Sequence, residues 1–197
     1  MAYSIDATSH DCYPDSSVLV NKLGIRNQQQ LDETELFLVG VQTLQFEAKP
    51  LEGALDFNYY KQIHKLLFEA LYDWAGTVRT INMSKQHTQF CECQSIDELG
   101  ILMFARIAKM HYLQGLPRDE FITEIVDFYA NLNYLHPFRE GNGRCQRLYI
   151  RQLALQAGYS LDFAKIDSDR MMIATIHAAS GVRDTLLQVF DEMISEL

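Results

Sequence analysis

The stretch His136-Pro-Phe-Arg-Glu-Gly-Asn-Gly-Arg-Cys-Gln-Arg147 decides how this chain is read. It packs an imidazole, a carboxylate, side-chain amides, three guanidinium groups and two glycines into one short run, and nothing else in the sequence is so dense. Pro137 disfavours helical geometry at His136, so the helix before it is expected to end near Leu135. Downstream, Leu148, Ile150, Leu153, Ala154 and Ala157 recur at mixed steps that include helical spacing, with Gly158 as a stop. The motif is therefore a loop that feeds a helix amino terminus. Such an end leaves amide N–H groups unpaired and carries roughly half a positive charge from the macrodipole, so it attracts anions. Gly141 and Gly143 have no Cβ, which lets backbone approach a phosphate or form a nest. Asn142 adds an amide donor, and Arg144 and Arg147 share a helical face, offering guanidinium forks suited to a polyphosphate.

Two further groups complete a reactive set. Glu140 is a candidate ligand for Mg²⁺, which favours one or two carboxylates plus phosphate oxygens. His136 titrates near enough to neutrality to act as a general base. Any one of these residues alone is ordinary loop furniture; all of them in this order favour a nucleotide and metal site. Zinc is a weaker competing reading, because the second histidine of HExxH is missing and Pro137 interrupts the helical face. No Gly-x-x-x-x-Gly-Lys-Ser/Thr phosphate loop occurs.

Outward from this segment the chain reads as mainly helical. Apolar periodicity predicts helices over residues 30–46, 58–74, 95–114 and 118–135, with Lys49-Pro50 ending the first and Gly76 the second. Between the second and third, Thr77 to Phe90 is β-branched and polar without helical spacing, which predicts a short hairpin. Residues 1–20 are polar, broken by Pro14 and aperiodic. They are expected to form an extended arm lying on a single domain over residues 21–197.

Composition narrows the function classes. The 197 residues include 48% hydrophobic and 11% aromatic side chains, enough for one substantial core. A net charge of −9 argues against broad neutralisation of nucleic-acid phosphates. Cys12, Cys91, Cys93 and Cys145 are too few and too irregular for a disulfide framework or a paired CxxC zinc site. The amino terminus lacks a basic region followed by an apolar one, and no apolar run approaches a membrane span of roughly 20 residues. The expectation is a cytoplasmic protein without direct nucleic-acid or membrane contact.

His136-x-Phe138-x-Glu140-Gly-Asn-Gly-Arg144-x-x-Arg147 resembles the complete signature of the Fic family. Support comes from Ile63-His64-x-x-Leu67-Phe68, Tyr72-Asp-Trp-Ala-Gly76-x-x-Arg79, Ser84-Lys85 leading to Phe90, and Leu153-Ala154 through Tyr159, so the likeness covers residues 23–187. The resemblance implies an all-α Fic fold, a helical bundle with a β-hairpin flap, and transfer of AMP from ATP to a hydroxyl side chain of another protein. It implies that His136 deprotonates the target hydroxyl, that Glu140 binds Mg²⁺, and that Gly141, Asn142, Gly143 and Arg144 hold the phosphates. Arg147 would meet the γ-phosphate, and Phe138 would anchor the loop. Ser84, Lys85, Gln86, His87, Thr88, Gln89 and Phe90 would form the flap that aligns an extended target segment. A kinase-like branch of the fold carries Lys where this chain has Gly143, so nucleotidyl transfer is favoured over phosphate transfer.

The resemblance also frames control. Many Fic proteins carry an inhibitory Ser/Thr-x-x-x-Glu-Gly/Asn helix whose Glu pairs with the motif's last arginine. Here Thr43 to Glu47 and Thr88 to Glu92 meet the core of that pattern, but Ala48 and Cys93 follow, and both read as chance matches. A separate small antitoxin supplying the inhibitory Glu is therefore expected. The leading target is the ATPase subunit of DNA gyrase or topoisomerase IV, with a host-directed effector or a silent nucleotide-binding scaffold as alternatives. His64 reads as a satisfied core histidine. Arg139 and Arg151 read as solvated, the two nearby cysteines Cys91 and Cys93 as packing, and Met171 to Val182 as a weak candidate for the adenine pocket.

Overall fold

The computed structural model describes residues 4–5, 11–85 and 88–197. Gln86 and His87 of the expected flap lie outside the described residues, as do most of the first ten. Among the described residues seven α-helices carry the architecture: α1 (Gln28–Ala48), α2 (Phe57–Phe68), α3 (Ile96–Lys109), α4 (Arg118–Leu135), α5 (Asn142–Gln156), α6 (Ser168–Ala179) and α7 (Asp184–Met193). Side-chain caps start several of them. Asn27 Oδ1 accepts from the Gln30 amide at 3.0 Å, Asp56 from Tyr59 at 2.8 Å and Asp167 from Asp169 at 2.8 Å, each satisfying a donor that the first turn leaves over.

Two small sheets border the bundle. The first has the order β1 (Ser4–Ile5), β2 (Met83–Lys85), β3 (Thr88–Gln89), all antiparallel, with Ser4 opposite Ser84 and Ser84 opposite Gln89. The expected hairpin is β2 and β3, and the chain's own β1 pairs with the other edge of β2. The second sheet pairs β4 (Tyr159–Leu161) with β5 (Ile194–Glu196) at the carboxyl-terminal side. Cys12 bridges Leu19, and Val18 and Leu19 are buried in the main core.

Helix α4 matches the expected range at both ends. Helix α2 is shorter than its periodicity suggested, ending at Phe68 rather than Trp74. Leu71 and Tyr72 still fall inward, but from a turn, because Leu71 N and Tyr72 N both donate to Phe68 O and the chain then swings to Gly76 at φ +81°. A Cβ at Gly76 would sit 2.8 Å from Lys65 Cβ, so this return path needs glycine. Helix α3 also falls short of Gln114: His111, Tyr112 and Leu113 take positive φ, which carries Leu113 into the core. Apolar spacing records which residues face inward, and a tight turn can reproduce it. In α1, Leu36, Phe37 and Leu44 remain exposed while Leu31, Val39 and Phe46 are buried.

Helix α5 packs on α2 and α4 and so presents the reactive loop from the centre of the domain. An aromatic cluster sits beneath it. Phe104 lies with ring centroids 5.5 Å from Tyr60, 5.0 Å from Tyr149 and 5.3 Å from Phe128. No helix among the described residues is long and apolar enough to cross a membrane. Because Phe104 is fully enclosed and joins α2, α3, α4 and α5, Phe104→Ala is expected to destabilise the fold by about 3–5 kcal/mol, read as a fall in the urea midpoint with an unchanged slope.

Candidate active site

His136 closes α4 in the left-handed region at φ +41°, a rare conformation for a residue with a Cβ, and Pro137 follows it. Three neighbours hold it there. Its own amide donates to Leu132 O at 3.2 Å. Its carbonyl accepts from Arg79 Nε at 2.8 Å, while the Arg79 amide donates to Pro137 O at 2.8 Å. Its ring stacks on Phe90 at 3.7 Å with planes 9° apart. His136 Nδ1 lies 3.2 Å from Asn133 O. A carbonyl only accepts, so Nδ1 carries the proton and Nε2 presents a lone pair. The imidazole lines a cavity of about 150 Å³ together with Lys85, Thr88, Gly143, Thr175 and Ile176.

The loop beyond His136 is fastened from below. Phe138 is fully buried, stacked on His64 at 3.8 Å, as expected of an anchor. His64 Nδ1 accepts from the Gly76 amide at 2.9 Å, so its Nε2 carries the proton and donates to Glu140 O at 2.9 Å. The core-histidine reading stands, with an added task of tethering the loop at Glu140. Asn142 is buried and spends its amide on the same loop: Oδ1 accepts from Phe138 N at 2.9 Å and Nδ2 donates to Phe138 O at 2.7 Å. In this arrangement both functional groups of Asn142 close the loop on Phe138.

Of the two glycines, only Gly141 is conformationally required. Its φ is +79°, and a Cβ there would fall 2.2 Å from the Phe68 ring, whereas Gly143 is helical and a Cβ would meet nothing closer than Arg147 Nη1 at 3.5 Å. The Gly141 amide donates to Glu140 Oε1 at 2.8 Å. The first turn of α5, with Gly143 on the cavity wall, leaves backbone amides without helical partners beside the imidazole. Arg147 is exposed on the same helix, and no carboxylate among the described residues pairs with it. Arg144 is paired to Glu35 at 2.6 Å and to Glu140 at 3.4 Å.

Other expectations resolve clearly. Arg139 is not solvated: its Nε reaches Asp11 Oδ2 at 3.1 Å and its side chain is 11% exposed, tying the amino-terminal segment to the loop. Arg151 pairs with Glu47, so that Glu serves an arginine one turn beyond Arg147. The Met171 to Val182 stretch does border the site, with Met172, Thr175, Ile176 and Ala179 of α6 on the cavity wall. Cys91 is buried and Cys93 begins a 3-10 turn. Among the described residues no group of three or more His, Cys, Asp or Glu could hold a metal. Glu140 alone fits only a cation that completes its shell with phosphate oxygens and water, as Mg²⁺ does.

Arg79, Glu35 and Tyr72 were missed as site residues. Arg79 is buried with its guanidinium on the carbonyls of His136, Ile81 and Cys91, the last two at 2.5 Å. Tyr72 donates to Glu35 at 2.5 Å. Arg79 and Tyr72 stood inside a quoted motif, but nothing in the local sequence reveals a partner 57 or 37 positions away.

Taken together, fold and site define a helical protein that sets a cavity-lining imidazole beside a helix amino terminus. A profile of the Fic/DOC family matches residues 54–154. The chain is 31% identical to the probable protein adenylyltransferase Fic of Escherichia coli K12, over 93% of this chain and 91% of that protein. It is 32% identical to the protein adenylyltransferase VbhT of Bartonella schoenbuchensis over 95% of this chain, but it spans only 40% of that longer relative. The crystal structure of the Bartonella tribocorum effector BepC with bound AMPPNP superposes with a TM-score of 0.87 at 26% identity, covering 95% of this chain and 97% of that one. The chain belongs to the Fic/DOC family.

Both histidines of the site are held neutral. Burial pushes His136 down to about 3, with Arg79 and Lys85 adding to the effect against the Asn133 hydrogen bond. Burial likewise pushes His64 down to about 4, assisted by Arg144 against the Glu140 carbonyl. In the unfolded chain each returns to about 6.5. Below that value the unfolded state binds more protons than the folded state, so this contribution to stability is complete above pH 6.5 and is lost as pH falls towards 4. Two such groups give at most about 2.7 kcal/mol per pH unit. Urea titrations between pH 7 and 4.5 are expected to show this loss, and His136→Asn should remove about half of the histidine contribution to the slope.

Proposed function

We propose that this chain is a protein adenylyltransferase that moves AMP from Mg-ATP to a hydroxyl side chain of another protein. The observation that carries the reading is the placement of the His136 imidazole, oriented by the Asn133 carbonyl at Nδ1 and lining a cavity that reaches Gly143 at the α5 amino terminus. In the proposed step the target hydroxyl gives its proton to His136 Nε2, its oxygen bonds the α-phosphorus, and the bond to the β-phosphate oxygen breaks. The products are the adenylylated side chain and pyrophosphate. The α5 amides, Arg144 and Arg147 would neutralise the phosphate charge, and Glu140 would hold Mg²⁺ against the phosphate oxygens. Met172, Thr175 and Ile176 supply the apolar wall on which adenine would lie.

Flap strands β2 and β3 stand over the imidazole through Phe90, and this supports their use in presenting a target hydroxyl to Nε2. We further propose the toxin half of a toxin-antitoxin pair, acting on the ATPase subunits of type II topoisomerases in the cytoplasm. Support for an inhibitor in trans is that Glu47 is occupied by Arg151, leaving Arg147 unpaired among the described residues. The exposed Leu36, Phe37 and Leu44 of α1 provide an apolar face for such a chain. A host-directed effector is the second reading, favoured by the likeness to the BepC effector structure.

The test is intact-mass analysis of gyrase and topoisomerase IV subunits after incubation with the chain, ATP and Mg²⁺. One AMP per modified site is expected. His136→Ala should lower the rate by about 10²–10⁴-fold while AMPPNP binding persists. A mass gain that survives His136→Ala would overturn the base assignment, and one that requires Glu47→Gly would place the inhibitor inside this chain.

A further inference from the structure

Arg144 is held from two sides. Its Nη1 lies 2.6 Å from Glu35 Oε1 on α1, and its Nη2 lies 3.4 Å from Glu140 Oε1 on the loop. The shorter contact is also the better shielded, since the Glu35 side chain is 12% exposed against 30% for Glu140. Glu35 is itself fixed. Its Oε2 accepts from the Tyr72 hydroxyl at 2.5 Å, and the Tyr72 ring is locked against Trp74 with centroids 4.4 Å apart and planes 14° apart. The guanidinium lies 4.9 Å above the Phe68 ring, which limits its freedom further. Glu140 Oε1 already accepts from the Gly141 amide, and its Oε2 has no partner among the described residues.

We propose that Glu35 is a positioning residue for the metal site: by drawing the charge of Arg144 towards α1, it keeps the Glu140 carboxylate available to a divalent cation. The inference rests on the nucleotide reading above. Glu140 and Arg144 are four residues apart across the first turn of α5, a spacing at which opposite charges pair readily. With no competing acid, the arginine would close on Glu140, and the cation would then have to displace a guanidinium before binding. Glu35 provides that competitor from a different helix, at shorter range and in a drier setting. Two carboxylates around one guanidinium leave a net negative charge, which suits a site awaiting Mg²⁺. The Tyr72 hydroxyl keeps Glu35 aimed, and the Trp74 and Phe68 rings keep Tyr72 and Arg144 in register.

The discriminating measurement is calorimetric titration of AMPPNP into the full chain at a series of Mg²⁺ concentrations and in EDTA, comparing the unsubstituted protein with Glu35→Gln and Tyr72→Phe. Glu35→Gln is expected to raise the Mg²⁺ concentration for half-maximal binding by about three- to tenfold, the range a shared partial charge pair supports. Affinity in EDTA should hold or rise, because the pocket has lost a negative charge. Tyr72→Phe should shift the Mg²⁺ dependence in the same direction by less. In the apo protein, the Arg144 guanidinium resonances should move in both variants. A fall in affinity that is equal at every Mg²⁺ concentration, EDTA included, would mark Glu35 as a structural tie and overturn the proposal, as would an unchanged Mg²⁺ dependence. If Glu35→Gln fails to fold, Tyr72→Phe decides alone. Absence of Mg-AMPPNP binding in the unsubstituted chain would overturn the nucleotide reading and this inference with it.

Discussion

A single buried cation organises the reactive end of the molecule. Arg79 lies inside the domain with no carboxylate paired to it among the described residues, and its charge is met by three backbone carbonyls, those of His136, Ile81 and Cys91. Removing a guanidinium from water is costly unless its donors are satisfied, so the three carbonyls must converge for the fold to tolerate the charge. That requirement fixes the geometry of the site. One carbonyl belongs to the residue bearing the base, and the other two bracket the flap. The distance between imidazole and flap is therefore set by the span of one planar side chain, and Phe90 can lie flat on His136.

The same constraint accounts for the left-handed turn at His136. A side chain at φ +41° is strained by roughly 1–3 kcal/mol and persists only where its surroundings over-determine it. Arg79 holds the carbonyl, Leu132 the amide, and Asn133 the ring. Below, His64 takes the carbonyl of Glu140, and Asn142 closes back on Phe138 with both ends of its amide. Nearly every polar group of the loop is committed to shaping it. Beside the cavity-lining imidazole of His136, the groups less committed among the described residues are the amides opening α5, one oxygen of Glu140, and Arg147. A loop rich in hydrogen-bonding residues thus offers few of them to its substrate, and those few are held rigidly.

This division explains what was legible in the sequence. His136, Glu140 and the arginines of α5 stand in one continuous run, and Pro137 announces the break at His136, so the loop that leads into a helix start could be read from local chemistry. Helix α4 was equally plain, because its period and its stop are both local. The loop-closing part of Asn142 was hidden, because an amide beside two glycines looks like a phosphate donor and its bonds to Phe138 exist only once the loop has folded. Glu35, Tyr72 and Arg79 act through partners 109, 37 and 57 positions away, respectively Arg144, Glu35 and His136. No periodicity encodes such pairings; they exist only once α1 and the flap have packed. The end of α2 was hidden for a related reason, since Leu71 and Tyr72 point inward from a turn as they would from a helix.

The depressed basicity of His136 looks at first like a handicap for a proton acceptor, since an imidazole held down to about 3 takes protons reluctantly. Its causes argue otherwise. Burial contributes most, and the positive charges of Arg79 and Lys85 contribute the rest. A bound triphosphate would place negative charge at the α5 amino terminus, on the cavity wall that His136 shares with Gly143. That charge would oppose Arg79 and Lys85 and favour the imidazolium, so in the proposed reaction nucleotide binding would raise the basicity of the ring towards the range where it is useful. In the proposed reaction the imidazole would be neutral and weakly basic before nucleotide binds and more basic afterwards, when a hydroxyl is to be deprotonated. Coupling of this kind needs no moving part. It follows from setting an uncharged imidazole between fixed cations on one side and an anion cradle on the other, and Arg79, by fixing the carbonyl of His136, maintains that separation.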